Sequence, residues 1–316
     1  MRIAAILGLG LSANQLHPFA PFSDTPLRVG VPASAADADA ILVFGGDGTV
    51  HRYLAELAKL QLPVLVVPCG SGNDFARALG LRRVVDSLSA WRTFCAGGGN
   101  VHAIDLGVIT ALRDRDLESG SLLRTATSAV EANEEQRHYL FCCVGGVGLD
   151  AEIARRANRL PRWVRRRGGY LLSLLPALFG FKPFPAKVTS SRRDFPADIL
   201  TGGYDGEATV VAFANAPAYG DGIKIAPEAV LDDGKLDICV VGKIGKARLV
   251  RLFPSVYSGN HLSIPEVKYF RTERFRLETE RPMDVYADGE YVCRTPVEVS
   301  LERAALRVIA ASSWRR

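Results

Sequence analysis

The chain has 316 residues, 48% of them hydrophobic and 23% charged, with a formal net charge of +5. That length exceeds one small core and suggests two domains, while the ordinary composition excludes a fibrous or disordered chain. The mild positive balance favours anionic partners, and nucleic acid is not expected among them.

The opening run MRIAAILGLGLSANQL lacks a basic region and a small-residue cleavage site, so residues 2–7 read as a first strand rather than a signal peptide. Gly8, Gly10 and Ala13 match the dinucleotide fingerprint G-x-G-x-x-G/A. That fingerprint needs a long helix next and an acidic residue about 20 positions on. Pro18 and Pro21 leave no room for the helix, and Asp24 comes too early. A nicotinamide-dependent oxidoreductase is therefore set aside.

Residues 41–44 and 64–67 are compact apolar runs, as expected of strands buried on both faces of a parallel sheet. Between them Thr49–Leu60 has helical spacing, which completes a β-α-β unit. Gly45, Gly46 and Gly48 sit at the strand-to-helix turn, where backbone amides and a helix N-terminus attract phosphate. Asp47 between them would repel a bare phosphate, which suggests a divalent cation to bridge the two. Thr49 suits a helix cap or a phosphate oxygen. A plain glycine turn with Asp47 as cap is the alternative. A second strand–turn–helix follows at Gly70-Ser71-Gly72-Asn73-Asp74, with a helix starting near Asn73 and ended by Gly80. Two such turns share the carboxyl edge of a parallel sheet, where α/β folds bind ligands.

From about residue 138, short β-rich runs alternate with glycine and proline turns, the pattern of an antiparallel sandwich or barrel. Residues 111–137 are polar and aperiodic and read as an excursion between strands. Residues 151–181 combine an arginine-rich run, Arg155 to Arg167, with the apolar stretch Tyr170–Phe181. That pairing suits an anionic membrane surface, with a core helix and solvated basic face as the alternative reading. No run reaches the roughly 20 apolar residues of a membrane span. The six cysteines show no CxxC spacing and read as buried free thiols in a reducing cytoplasm. The five histidines show no metal-ligand spacing.

GGDGT followed by PCGSGNDFAR resembles the catalytic family of diacylglycerol kinases, which includes bacterial diacylglycerol kinases, sphingosine kinases and ceramide kinases. The blocks GVGLDAEI, FANAPAYGDGIKIAPEAVLDDGKLDI and ADGE follow in the order expected of that family. The resemblance implies an α/β N-terminal domain with a parallel sheet and shortened N-terminal region, plus a C-terminal antiparallel β-sandwich domain. Their boundaries fall at residues 1–105 and 106–302, with 303–316 a tail packing back on the first domain.

The implied reaction is ATP- and Mg²⁺-dependent transfer of the γ-phosphate to a hydroxyl of diacylglycerol or a related lipid. The implied active site lies in the interdomain cleft; a cytoplasmic protein is expected, and residues 155–181, read as above, would bring it to the inner face of the membrane. A homodimer is left open. Nucleotide contacts are implied from Gly46, Asp47, Gly48, Thr49 and Ser71, within a candidate site that also takes in Gly45, Gly70, Gly72, Asn73 and Asp74. Asp47, Asp288 and Glu290 are the candidate catalytic carboxylates, with Glu290 as proton acceptor. A structural Mg²⁺ is implied on the Asp233 carboxylate and the carbonyls of Val230 and Lys235.

The chain departs from the family pattern in two places. Gly8–Ser12 replaces an Asn-Pro-x-Ser/Ala-Gly turn, and His51-Arg52 replaces Asn-Glu. Arg52 opposes the helix dipole by a few tenths of a kcal/mol and reads equally as a phosphate contact or a solvated arginine. Two other readings stay open: a lipid- or nucleotide-binding relative without turnover, and a phosphotransferase with a soluble acceptor such as NAD.

Overall fold

The computed structural model describes residues 1–22, 27–112, 137–160, 169–190, 203–220 and 222–314. Most of the polar stretch 111–137, and the arginines from Arg162 to Arg167, lie outside the described residues.

The apolar runs at the start form β1 (Ile3–Leu7), β3 (Ala40–Gly45) and β4 (Val64–Pro68), joined by the two-residue β2 (Arg28–Val29). They pair in parallel in the order β4-β3-β1-β2. β3 is buried at every position, and each large apolar side chain so buried contributes about 1.5–3 kcal/mol. α1 (Asp47–Leu60) links β3 to β4 and turns Val50, Leu54 and Leu57 inward, the spacing of one helical face. α2 (Asp74–Ala78) and α3 (Val84–Cys95) follow β4. Between β1 and β3 the described residues hold only short 3-10 turns and β2, so no crossover helix is present there among them. Phe19 from this shortened stretch packs edge-on against Phe44, ring centroids 5.3 Å apart.

The second half is antiparallel. β7 (Val144–Gly148), β8 (Phe184–Ser190) and β10 (Leu236–Gly242) all pair with the long β9 (Gly203–Ala214). Phe141, Phe213 and Phe275 stack through its separate core. β13 (Asp284–Ala287) and β14 (Glu290–Arg294) form a hairpin beside β7. Two helices leave this sheet, α4 (Leu149–Arg159) and the apolar α5 (Gly169–Gly180).

Two strands tie the halves together. β5 (Val101–Ala111) and β15 (Val297–Ile309) pair along their lengths, and β15 reaches β4 in parallel at Val308 opposite Val64. The register of β15 shifts between Glu302 and Leu306, with Ala304 at φ 51°. Asp105 holds this bulge: its buried carboxylate accepts the amides of Ala304 and Gly234, both at 2.8 Å. Residues 303–309 thus belong to a continuous strand. The stretch ERAA resembles a strand end in sequence because a bulge interrupts the alternation there.

Candidate active site

Three turns meet at the carboxyl edge of the parallel sheet. The β3–α1 and β4–α2 turns touch backbone to backbone: a Cβ on Gly46 would run into the Gly72 carbonyl oxygen, and one on Gly70 into Cα of Gly46. Only glycine at both positions allows that approach. The Asp47 amide donates to the Gly72 carbonyl at 3.2 Å, which fixes the two turns as one unit. The Gly8–Leu11 loop after β1 lies alongside, its Gly8 amide bonded to the Phe44 carbonyl at 2.7 Å.

The Asp47 carboxylate is tied to the second turn. Its oxygens accept the amides of Asp74 and Phe75, each at 3.0 Å, so it caps α2 from the neighbouring turn. These two backbone donors are the partners Asp47 has here, and the residue still lines the cavity between the turns. Desolvation, with the charge of Asp74 adding to it, pushes this carboxyl up to about 7. Asn73 braces the second turn: its Oδ1 accepts the Gly70 amide at 3.0 Å and its Nδ2 donates to the Gly70 carbonyl at 3.1 Å. Asp74 pairs with Arg77 at 2.9 Å.

From the other half of the molecule, the β13–β14 hairpin points its turn into the same space. Asp288 and Gly289 both have positive φ, 50° and 84°. That is the pair of conformations a two-residue Asp-Gly turn uses. The two carboxylates meet different surroundings. Asp288 is turned inward, its side chain fully buried. It accepts the amides of Cys142 and Cys143 at 2.8 Å each and of Val144 at 3.3 Å. Glu290 is turned outward over the first glycine turn, where a Cβ on Gly48 would stand 3.0 Å from its Oε1. Both residues line the cavity: Asp288 with its oxygens held by backbone amides, Glu290 with an exposed carboxylate.

These elements enclose a cavity of about 540 Å³. One end is lined by the glycine turns, Gly45–Thr49 and Gly70–Gly72, with Asp74, Arg52 and Tyr53. Asn73 braces the wall without lining it. The other end is lined by Val144, Tyr219, Tyr286 and one face of α4, Asp150, Ala154, Ala157 and Asn158. Arg52 thus faces the cavity rather than open solvent alone. Val230, Asp233 and Lys235 lie in the turn before β10 and do not line the cavity. Among the described residues one cluster has metal-ligand spacing, Cys142, Cys143 and Asp288, but amide donors already face its carboxylate.

The glycine turns were readable because their residues are adjacent in sequence. Several site residues were not. Tyr219 donates to Asp150 at 2.6 Å, Asn158 donates to the Gly289 carbonyl at 2.7 Å, and His51 Nδ1 stands 3.4 Å from Asp288 Oδ2. Each of these pairs joins distant segments: the motifs holding His51, Asp150, Tyr219 and Asp288 were visible one by one, their pairing was not, and Asn158 lies in no motif.

Residues 27–109 match the family model of the diacylglycerol kinase catalytic domain, and residues 144–310 that of the YegS C-terminal NAD kinase beta sandwich-like domain. A diacylglycerol kinase of Mycobacterium tuberculosis is 32% identical over 278 residues, 88% of this chain and 78% of that protein. A diacylglycerol kinase of Bacillus subtilis is 26% identical over 270 residues, 84% of this chain and 76% of that protein. Among solved structures, a diacylglycerol kinase from Bacillus anthracis superposes with a TM-score of 0.68 at 21% identity, covering 99% of this chain and 98% of its own. At that identity the likeness speaks for the fold.

Proposed function

The chain belongs to the diacylglycerol kinase and YegS-like family of lipid kinases, and from that premise we propose that it transfers the γ-phosphate of ATP to the hydroxyl of diacylglycerol or a closely related lipid. The observation that carries the reading is the position of Glu290 over Gly48, a carboxylate from one half of the molecule at the phosphate cradle of the other.

The joined glycine turns and the first amides of α1 would receive the ATP phosphates. Arg52, on the wall of the same cavity, would add a mobile positive charge. Glu290 would accept the proton of the lipid hydroxyl as its oxygen bonds to the γ-phosphorus. The bond from that phosphorus to the bridging oxygen breaks, and ADP leaves. Such a reaction depends on positioning and charge neutralisation, and Mg²⁺ bound with the nucleotide supplies part of the latter.

A separate structural Mg²⁺ would be held at the turn before β10 by the Asp233 carboxylate, which also accepts the Lys235 amide at 3.0 Å, and the Val230 and Lys235 carbonyls. Val230, Asp233 and Lys235 offer only oxygen donors, as that ion requires, and Asp105 fixes the turn through the Gly234 amide.

Membrane contact through residues 155–181 would place α4 and α5 at the surface. Phe179 of α5 is 74% exposed, a bare aromatic suited to the headgroup layer. Arg155 and Arg156 are both paired with Glu152, at 2.7 and 2.6 Å, which lowers their share of the attraction.

The test is incubation with labelled ATP, Mg²⁺ and vesicles carrying diacylglycerol, other lipid alcohols or none, with vesicle sedimentation alongside. Labelled phosphatidate and binding to anionic vesicles are expected. No labelled lipid across the panel would refute the kinase reading, and phosphorylated NAD formed without lipid would replace it.

A further inference from the structure

The geometry points to His51 as a positioning residue for Glu290: with Asp288 it seats the catalytic hairpin on α1 at the depth that sets the Glu290 carboxylate over the phosphate cradle. This inference rests on the kinase reading of the cleft.

The hairpin meets α1 at two places. Asp288 faces His51, with Nδ1 3.4 Å from Oδ2, and Glu290 faces Gly48. Positions 48 and 51 are three apart on a helix, so both contacts lie on one face, one above the other. Positions 288 and 290 flank Gly289, the apex of a tight turn. A turn so short cannot move one carboxylate without the other.

The remaining contacts fix Asp288 but leave the hairpin's approach to α1 to His51. The amides of Cys142, Cys143 and Val144 bind Asp288 to its own half of the molecule. Asn158 holds the Gly289 carbonyl from α4, in that same half. Among the described residues, His51 is the side chain that reaches Asp288 from the nucleotide half. With its proton on Nδ1 it donates across the domain boundary.

The groups acting on the imidazole are Asp288 and Glu290 of the hairpin. On the far side of Asp288 the Cys142 thiol donates to it at 3.4 Å and is kept neutral by burial. Other elements packed on α1 bring Asp74 and Arg77, which pair with each other, and His138 of the neighbouring β6 (His138–Phe141), bound to Thr110. Burial disfavours a charge on His51, but the hydrogen bond and charge of Asp288 outweigh it and hold the imidazole above its ordinary value. Loss of that proton at alkaline pH weakens the contact.

The experiment compares wild type, His51→Ala, His51→Gln and Asp288→Asn in the vesicle assay from about pH 6 to 10, with imidazole titration by NMR on the same proteins. His51→Ala should lower kcat about tenfold or more while KM for ATP stays within about threefold. His51→Gln, whose amide still donates, should recover most of kcat and lose the alkaline fall of the wild type. The His51 resonance should titrate above the ordinary value and move down in Asp288→Asn.

Wild-type kcat in His51→Ala, a loss confined to KM, or an unchanged pH profile in His51→Gln would overturn the positioning role in an otherwise active enzyme. A wild type that transfers no phosphate although His51 titrates as expected would instead refute the kinase reading, and the positioning role with it.

Discussion

Asp47 leaves the first glycine turn to accept both amides that open α2, so its removal should be felt in the second turn as well. Asp47→Ala is expected to cost about 2 kcal/mol of stability, as a lost helix cap does, and to weaken ATP binding in calorimetry by loosening Gly70–Gly72. The carboxyl also carries a pH signature. Its folded value of about 7 lies above the ordinary 3.8, so the stability it confers is complete at acid pH and is lost as pH rises towards 7. In Asp47→Asn that slope disappears. Thermal melts should therefore show the variant gaining on the wild type between about pH 4 and 7.5, and a constant gap would show that the carboxyl ionises normally. In the His51–Asp288 pair the two groups act in opposite directions. Asp288 is held below its ordinary value, where the His51 bond and charge and the Cys142 and Cys143 amides overcome burial. Its contribution is lost as pH falls through that lowered value, and that of His51 as pH rises through its raised one.

At the scale of elements, what was legible depended on how local the signal is. The β-α-β unit could be read from residues 41–67 because apolar runs and helical spacing are properties of adjacent residues. The hairpin turn could be read from Asp-Gly for the same reason, and it proved to be both an ordinary turn and part of the site. The passage of β5 and β15 between the halves could not, since a bulge at Ala304 hides the continuity of the last strand. What holds that bulge is Asp105, 199 positions away in sequence. Asp105→Ala leaves two amides without their acceptor and is expected to cost about 3 kcal/mol, read as a lower denaturant midpoint. Asp105→Asn should recover only part of it. A cost below about 0.5 kcal/mol would show that the bulge is set by the strands alone.

The molecule as a whole explains why each half carries only part of the chemistry. In the proposed reaction the first half would supply amides and Arg52, and the sandwich Glu290, so neither would transfer phosphate alone. His51 and Asp288, 237 positions apart, show why the site as an assembly was beyond the sequence. Their separate motifs were visible, but the contact exists only once β15 and β5 have brought the halves together. The central claim is that Glu290 takes the proton of an acceptor hydroxyl delivered to the glycine cradle. The most direct measurement is rapid-quench transfer from labelled ATP to vesicle diacylglycerol, comparing wild type with Glu290→Gln, and with ATP affinity measured on both. The expected result is a transfer rate lower by about 10²–10⁴-fold in the variant, with ATP affinity changed less than about threefold. Equal transfer rates in the two proteins would contradict the claim.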